Sequence, residues 1–201
     1  MLYIGEVLDG FGTHVGSGLE VDEHGTLVRV IPVGSVPEDD DAVAGFHIVP
    51  GLVDVHNHGG GGTSFPDNIA PDEIRAGIAA HRSRGTTALV ASLVSMADPL
   101  PAIRALVPFC ESGELAGIHL EGPYISPCKA GAQNPAAIRS ADLAELESWL
   151  RAGDGWIRTM TIAPETANAA EAARMLLDFG AKPSWGHTAA DGATTAAVLE
   201  S

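Results

Sequence analysis

The chain has 201 residues, 45% hydrophobic and 18% charged, which is enough apolar material for a sizeable core. Acidic residues outnumber basic ones 26 to 11, and the formal net charge of −15 repels phosphate backbones and anionic lipid, which argues against nucleic-acid or membrane-surface binding. Cys110 and Cys128 provide no disulfide framework and point to a reducing, cytoplasmic setting; MLYIGEVLDG lacks the basic start of a signal peptide, and no apolar run approaches the ~20 residues of a membrane span.

Residues 1–48 predict short β segments. LYIGEVL, HVGSGLEV, TLVRVIPV and AGFHIVP are apolar or alternating runs parted by Gly, Asp and Glu, with a hairpin turn at Glu23–Gly25. The acidic run Glu38–Asp41 reads as a solvated loop. From Val49 the pattern changes to apolar strands alternating with amphipathic helices. VPGLVDVHNH, GTTALVASLV, LAGIHLEGP, WIRTMTIAP and AKPSWGH predict strands, and their near-continuous hydrophobicity suits a parallel sheet buried on both faces. Between them the spacing predicts helices over Pro71–Arg84, Pro101–Cys110, Ser140–Arg151 and Thr166–Phe179. Pro108 limits or kinks the second, and Ser140 serves as N-cap of the third. TTAAVLES starts another helix.

This order argues a right-handed parallel α/β array in residues 49–201, preceded by a β-rich segment over 1–48. A complete (β/α)₈ barrel takes ~250 residues, so the chain would hold only roughly the first five β/α units of one; an open five-strand sheet is the alternative. A partial barrel leaves two bare strand edges and uncovered apolar faces, so marginal stability of the isolated chain is expected.

The residues that carry chemistry sit at the predicted strand ends. His56 and His58 are two apart on one strand, so both imidazoles leave the same face at its C-terminal tip, where α/β barrels place their active sites. His-x-His pairs are most often surface or core histidines; here the pair ends a buried strand and runs into Gly59–Gly62, where the backbone can turn sharply beside a site. Glu121 ends another apolar strand, and a carboxylate there is costly unless it meets a cation or hydrogen-bond donors. His187 follows a third strand. Together these form a donor set that Zn²⁺, Mn²⁺ or Fe²⁺ accepts. Asp54 and His119, each two residues before one of these, are candidates for orienting them, and Cys128 lies in the loop after Glu121. Glu165 reads as a structural hydrogen-bonding group, Trp149, Trp156 and Trp185 as core or interface, and His14, His24, His47 and His81 as non-functional.

VPGLVDVHNHGGGG, HLEGPYISPCKAGAQNP, MTIAPE and WGHTAADG resemble the successive motifs of N-acetylglucosamine-6-phosphate deacetylases, in the amidohydrolase superfamily. HLEGP followed by KAGAQNP is the most specific part. Cyclic-imide and nucleobase hydrolases share the His-x-His strand but carry a lysine where Glu121 stands. The resemblance implies a TIM-type barrel with a small β-sandwich, and hydrolysis of the acetamide of N-acetylglucosamine 6-phosphate to glucosamine 6-phosphate and acetate. It implies Glu121 and His187 as metal ligands, His56 and His58 as the pair that lets some members hold a second ion, and Gln133 and Asn134 as substrate contacts. Some members have histidine at the position of Gln133, and Cys128 has no fixed counterpart. The implied cofactor is one or two divalent ions, Zn²⁺ before Fe²⁺, Mn²⁺ or Co²⁺, and the implied full-length form is a homodimer. The family's further ligand histidine, its general-base aspartate and its phosphate-binding residues would fall beyond Ser201. No catalytic base is therefore expected in residues 1–201, and little or no turnover by them alone. The alternatives are another amidohydrolase acting on a cyclic amide, or a non-catalytic metal-binding fragment.

Overall fold

The computed structural model describes residues 1–35 and 41–199. Glu38, Asp39 and Asp40 of the acidic run, and the last two residues of the final predicted helix, lie outside the described residues. The chain divides into two units, Met1–Gly51 and residues 52–201, slightly later than the change of pattern at Val49.

In the first unit, β1 (Leu2–Leu8), β2 (His14–Val21), β3 (Leu27–Ile31) and β4 (Val43–Ile48) form one sheet in the order β3-β2-β1-β4. β1–β2 and β2–β3 are antiparallel, and β4 joins β1 in parallel. The turn between β2 and β3 is built by Asp22, whose Oδ1 accepts the N–H groups of His24 and Thr26.

The second unit opens with β5 (Leu52–Asn57) and a small hairpin, β6 (Gly59–Gly60) and β7 (Thr63–Ser64). There follow α1 (Pro71–Arg82), β8 (Thr86–Leu93), α2 (Leu100–Glu111), β9 (Gly117–Glu121), a 3₁₀ turn at Pro127–Lys129 and α3 (Leu143–Ala152). β10 (Ile157–Ile162), α4 (Ala169–Asp178), β11 (Lys182–Trp185) and α5 (Gly192–Leu199) complete it. β11-β10-β9-β8-β5 pair in parallel, in chain order, with helices as crossovers; this is a five-strand part of a TIM-type barrel. Ile74 and Ile78 of α1, Ile103 and Leu106 of α2, Leu146 and Trp149 of α3 and Leu176 of α4 pack on Leu89, Leu93, Ile118, Leu120, Met160 and Ile162 of the strands. Central β9 is buried throughout. Edge strand β5 is not: Leu52, Val53 and Val55 are 59%, 67% and 61% exposed, so the continuous hydrophobicity read from the sequence corresponds to burial only in the central strands. Among the described residues, no helix is long and apolar enough to cross a membrane.

Several element boundaries differ from those the sequence predicts, and three of them bear on packing. α3 is capped by Asp142 and not by Ser140, because the Asp142 carboxylate accepts the free N–H groups of Ala144 and Glu145. α2 continues through Pro108 to Glu111; Pro108 lies on the exposed side while Phe109 and Cys110 remain in the core, so the ring meets solvent and packing carries the helix on. α4 begins at Ala169, after Asn168 in a left-handed conformation, and not at Thr166.

Candidate metal centre

The C-terminal ends of β5, β9 and β11 carry the residues singled out in the sequence, and the structure brings their polar atoms together. Nε2 of His56 lies 3.1 Å from Nε2 of His58. Glu121, almost fully buried, sits between them and His187: its Oε1 is 3.2 Å from His56 Nε2 and 3.1 Å from His187 Nε2, and its Oε2 is 3.0 Å from His58 Nε2. Donor atoms of His56, His58 and Glu121 all fall within 4.8 Å of one another. His187 joins this group through Glu121.

Backbone carbonyls fix which imidazole nitrogens carry hydrogen. His58 Nδ1 faces the Ser92 carbonyl oxygen at 3.1 Å, and His187 Nδ1 faces that of Lys129 at 2.7 Å. A carbonyl only accepts, so both Nδ1 atoms donate, and in the neutral rings both Nε2 atoms present lone pairs to the Glu121 carboxylate. Lone pairs facing a carboxylate at hydrogen-bonding distance repel unless a proton or a cation lies between them. The donor set therefore fits a divalent cation, with N and O ligands of the kind Zn²⁺ accepts. Without a cation the same arrangement gathers protons. The hydrogen bond with Glu121 raises the pKa of His58. Burial pushes the Glu121 carboxyl up, but hydrogen bonds from His58 and His187 outweigh it and hold the group down at about 2.

Because the pKa of His58 is raised, its imidazole keeps a proton to higher pH than a free histidine, and a metal ion must displace that proton. Affinity is expected to rise with pH through the titration of His58, with proton release on binding. Calorimetric titration in two buffers of different ionisation enthalpy checks this; uptake of protons, or equal affinity on both sides of neutral pH, is the contrary result.

A satisfied polar chain lies behind the centre. Ser92 Oγ accepts the Asn57 N–H at 2.9 Å, which leaves its own hydrogen for His119 Nδ1 at 2.9 Å. His119 Nε2 then donates to Thr161 Oγ1 at 2.8 Å, with the His119 ring 4.7 Å from that of His56. Burial lowers the His119 pKa to about 4, so it is a neutral support at physiological pH. The Asp54 carboxylate lies 3.9 Å from His81 Nδ1 and does not join the imidazoles of His56, His58 and His187. A register shift between Asp54 and Asn57 turns its carboxylate to the Asn57 amide at 3.0 Å, and Oδ1 accepts the His56 N–H at 3.2 Å.

His81, set aside in the sequence reading, belongs to this support: its Nε2 lies 2.9 Å from the Gly59 carbonyl and 3.0 Å from the Asn57 amide. Gly59 has φ 124°, and a Cβ there would lie 2.3 Å from the Thr63 carbonyl oxygen, so the turn after His58 requires glycine. Glu165 holds the segment after His187, accepting from Thr188 Oγ1 and the Ala189 N–H. Gln133 is buried against Glu121, and exposed Asn134 accepts the Ala136 N–H at 3.1 Å within its own turn.

Cys128 is exposed and Cys110 buried, with burial pushing the Cys110 thiol up to about 12. At neutral pH only Cys128 is expected to react readily with an aromatic disulfide reagent: one thiol titrates in the native chain and two after denaturation. Comparable rates for both would contradict this.

The pattern of the Amidohydrolase family matches residues 47–197, and the chain belongs to that family. Within it the chain is similar to sugar-phosphate deacetylases. It is 35% identical over 157 residues to the N-acetylglucosamine-6-phosphate deacetylase of Bacillus subtilis (strain 168), covering 73% of this chain and 39% of that protein. It is 33% identical over 159 residues to the N-acetylgalactosamine-6-phosphate deacetylase of Shewanella sp. (strain ANA-3), covering 76% of this chain and 39% of that protein. The crystal structure of N-acetyl-D-glucosamine-6-phosphate deacetylase from Mycobacterium smegmatis matches with a TM-score of 0.90 at 36% identity, over 100% of this chain and 53% of that one. An Asp-to-Ala mutant of that enzyme, in complex with N-acetyl-D-glucosamine-6-phosphate, matches with a TM-score of 0.91. The chain thus spans about half the length of these relatives, or less.

Proposed function

We propose that this chain carries the metal-binding part of a deacetylase acting on N-acetylglucosamine 6-phosphate, in which water cleaves the acetamide to give glucosamine 6-phosphate and acetate. The observation that supports this best is Glu121, at the tip of β9, with one carboxylate oxygen against His56 and His187 and the other against His58. His56, His58, Glu121 and His187 would hold one or two divalent ions, Zn²⁺ for preference. When bound, such an ion supplies a water of lowered pKa and polarises the amide carbonyl. The chain's own groups do the rest of the positioning. Glu121 brings the negative charge, the carbonyls of Ser92 and Lys129 aim the Nε2 lone pairs, and neutral His119 backs the His56 ring. In this reading the general-base aspartate and the phosphate-binding residues are not among residues 1–201, and the working enzyme is a cytoplasmic homodimer.

A second substrate is favoured by a specific observation: relatives of nearly equal identity are named for the galactosamine epimer. The test is acetate release from both N-acetylated sugar phosphates, with Zn²⁺ added. Residues 1–201 alone are expected to release far less acetate than the full-length Bacillus subtilis relative. Where the reading frame continues to a further histidine and a late aspartate, the longer product is expected to act on the glucosamine derivative. Full turnover by residues 1–201 would overturn the placing of the base beyond them. Hydrolysis of a cyclic imide by the longer product would favour the rival amidohydrolase reading.

A further inference from the structure

Gln133, which the resemblance implies as a substrate contact, also holds protein groups beside the centre. Its side chain is buried, and both ends of the amide are committed. Oε1 accepts the Ser95 N–H at 2.6 Å, which orients the amide and turns Nε2 toward Glu121 Oε2. Ser95 is itself buried, and its hydroxyl donates to the Glu121 carbonyl oxygen at 3.3 Å. The segment from Gly122 to Gln133 thus leaves Glu121 and returns to it. On the way it is fastened to His187: the Ser126 N–H donates to the His187 carbonyl oxygen at 2.9 Å, and the Lys129 carbonyl accepts from His187 Nδ1.

From this we infer that Gln133 is a positioning residue for Glu121, and that residues 122–133 form a brace setting the aim of Glu121 and His187 together. The carboxylate has two oxygens and four neighbours. Neutral His58 and His187 offer it only lone pairs, whereas the Gln133 amide offers an N–H with or without a cation present. By holding Oε2, Gln133 fixes the rotation of the carboxylate and keeps Oε1 toward His56 and His187. Glu121 is then preorganised for an ion, and less ordering is left for the binding step.

This inference rests on the metal reading above, and the test separates the two. Gln133→Met keeps the length and apolar stem but removes the amide; Gln133→Asn keeps the amide but is too short to span Ser95 and Glu121, and stands in should the first variant fold poorly. Cobalt(II) is titrated into each chain, with visible absorption reporting the ligand field and chelator competition the affinity, and far-UV circular dichroism following the fold. Both variants are expected to bind cobalt about 10- to 100-fold more weakly than the parent, with an altered absorption envelope and unchanged secondary structure. Parent-like affinity and spectrum in the variants would overturn the positioning role and leave the metal centre standing. Failure of the parent chain to bind cobalt would overturn both.

Discussion

Glu121→Gln is expected to abolish tight divalent-metal binding while leaving the fold in place. The substitution is isosteric, but Glu121 is the residue through which all three imidazoles are linked, with its two oxygens 3.0 to 3.2 Å from their Nε2 atoms. Glutamine there carries no charge to set against the ion, and it turns an NH₂ group either on the imidazoles or on the amide of Gln133. Loss of an outer partner of a metal ligand costs about 10- to 100-fold in affinity, and loss of the charged ligand itself is expected to exceed that. Zinc competition titration of parent and variant measures the difference, with circular dichroism as the control on folding. Affinity within tenfold of the parent would mean that the carboxylate is not a ligand.

Trp149→Ala is expected to have the largest effect on stability. Trp149 is 2% exposed, its ring stacks on Tyr124 at 5.6 Å, and the Arg139 guanidinium lies 5.6 Å from the centroid of the Trp149 ring. Tyr124 lies just beyond Glu121, and its hydroxyl donates to the Glu145 carboxylate at 2.8 Å; Arg139 reaches the same carboxylate at 2.7 Å. The indole therefore fills the core under α3 and also supports the segment that leaves β9. Truncating a buried tryptophan to alanine costs about 3–5 kcal/mol, against a total of roughly 5–15 kcal/mol for a typical domain. With β5 exposed as an edge strand, that loss is expected to remove most of the cooperative urea transition, whereas Trp149→Phe keeps a stacked ring and loses less. A change under about 1 kcal/mol would contradict the packing role assigned to this ring.

The parts of the molecule legible in the sequence are those governed by local periodicity. His56 and His58 are related by the two-residue repeat of a strand, and Glu121 and His187 each stand where an apolar run meets a breaker, so one rule about strand tips found all four. Groups whose partners lie far along the chain were not legible. Ser92 and Thr161 look like ordinary strand residues, and only the pairing of β8, β9 and β10 sets them on either side of His119. His81 is an unremarked helix residue until α1 packs beside the glycine turn and brings its ring to the Gly59 carbonyl. Asp54 shares its strand parity with His56, but the register shift before Asn57 breaks the alternation on which that reading depended. Ser140 and Asp142 are both good capping residues, and the choice went to the side chain that meets free N–H groups. Gln133 could be placed in the right loop, but its direction depends on Ser95, a residue on the far side of β9 in sequence.

His56, His58, Glu121 and His187 are proposed to surround a common cation. Anomalous diffraction at the zinc edge, from crystals of the chain grown with Zn²⁺, tests it most directly. A peak bonded to Glu121 and to imidazole Nε2 atoms, at about 2.0–2.2 Å, is the expected result. Ordered side chains at these positions with no anomalous peak among them, or zinc bound only elsewhere on the chain, would contradict it.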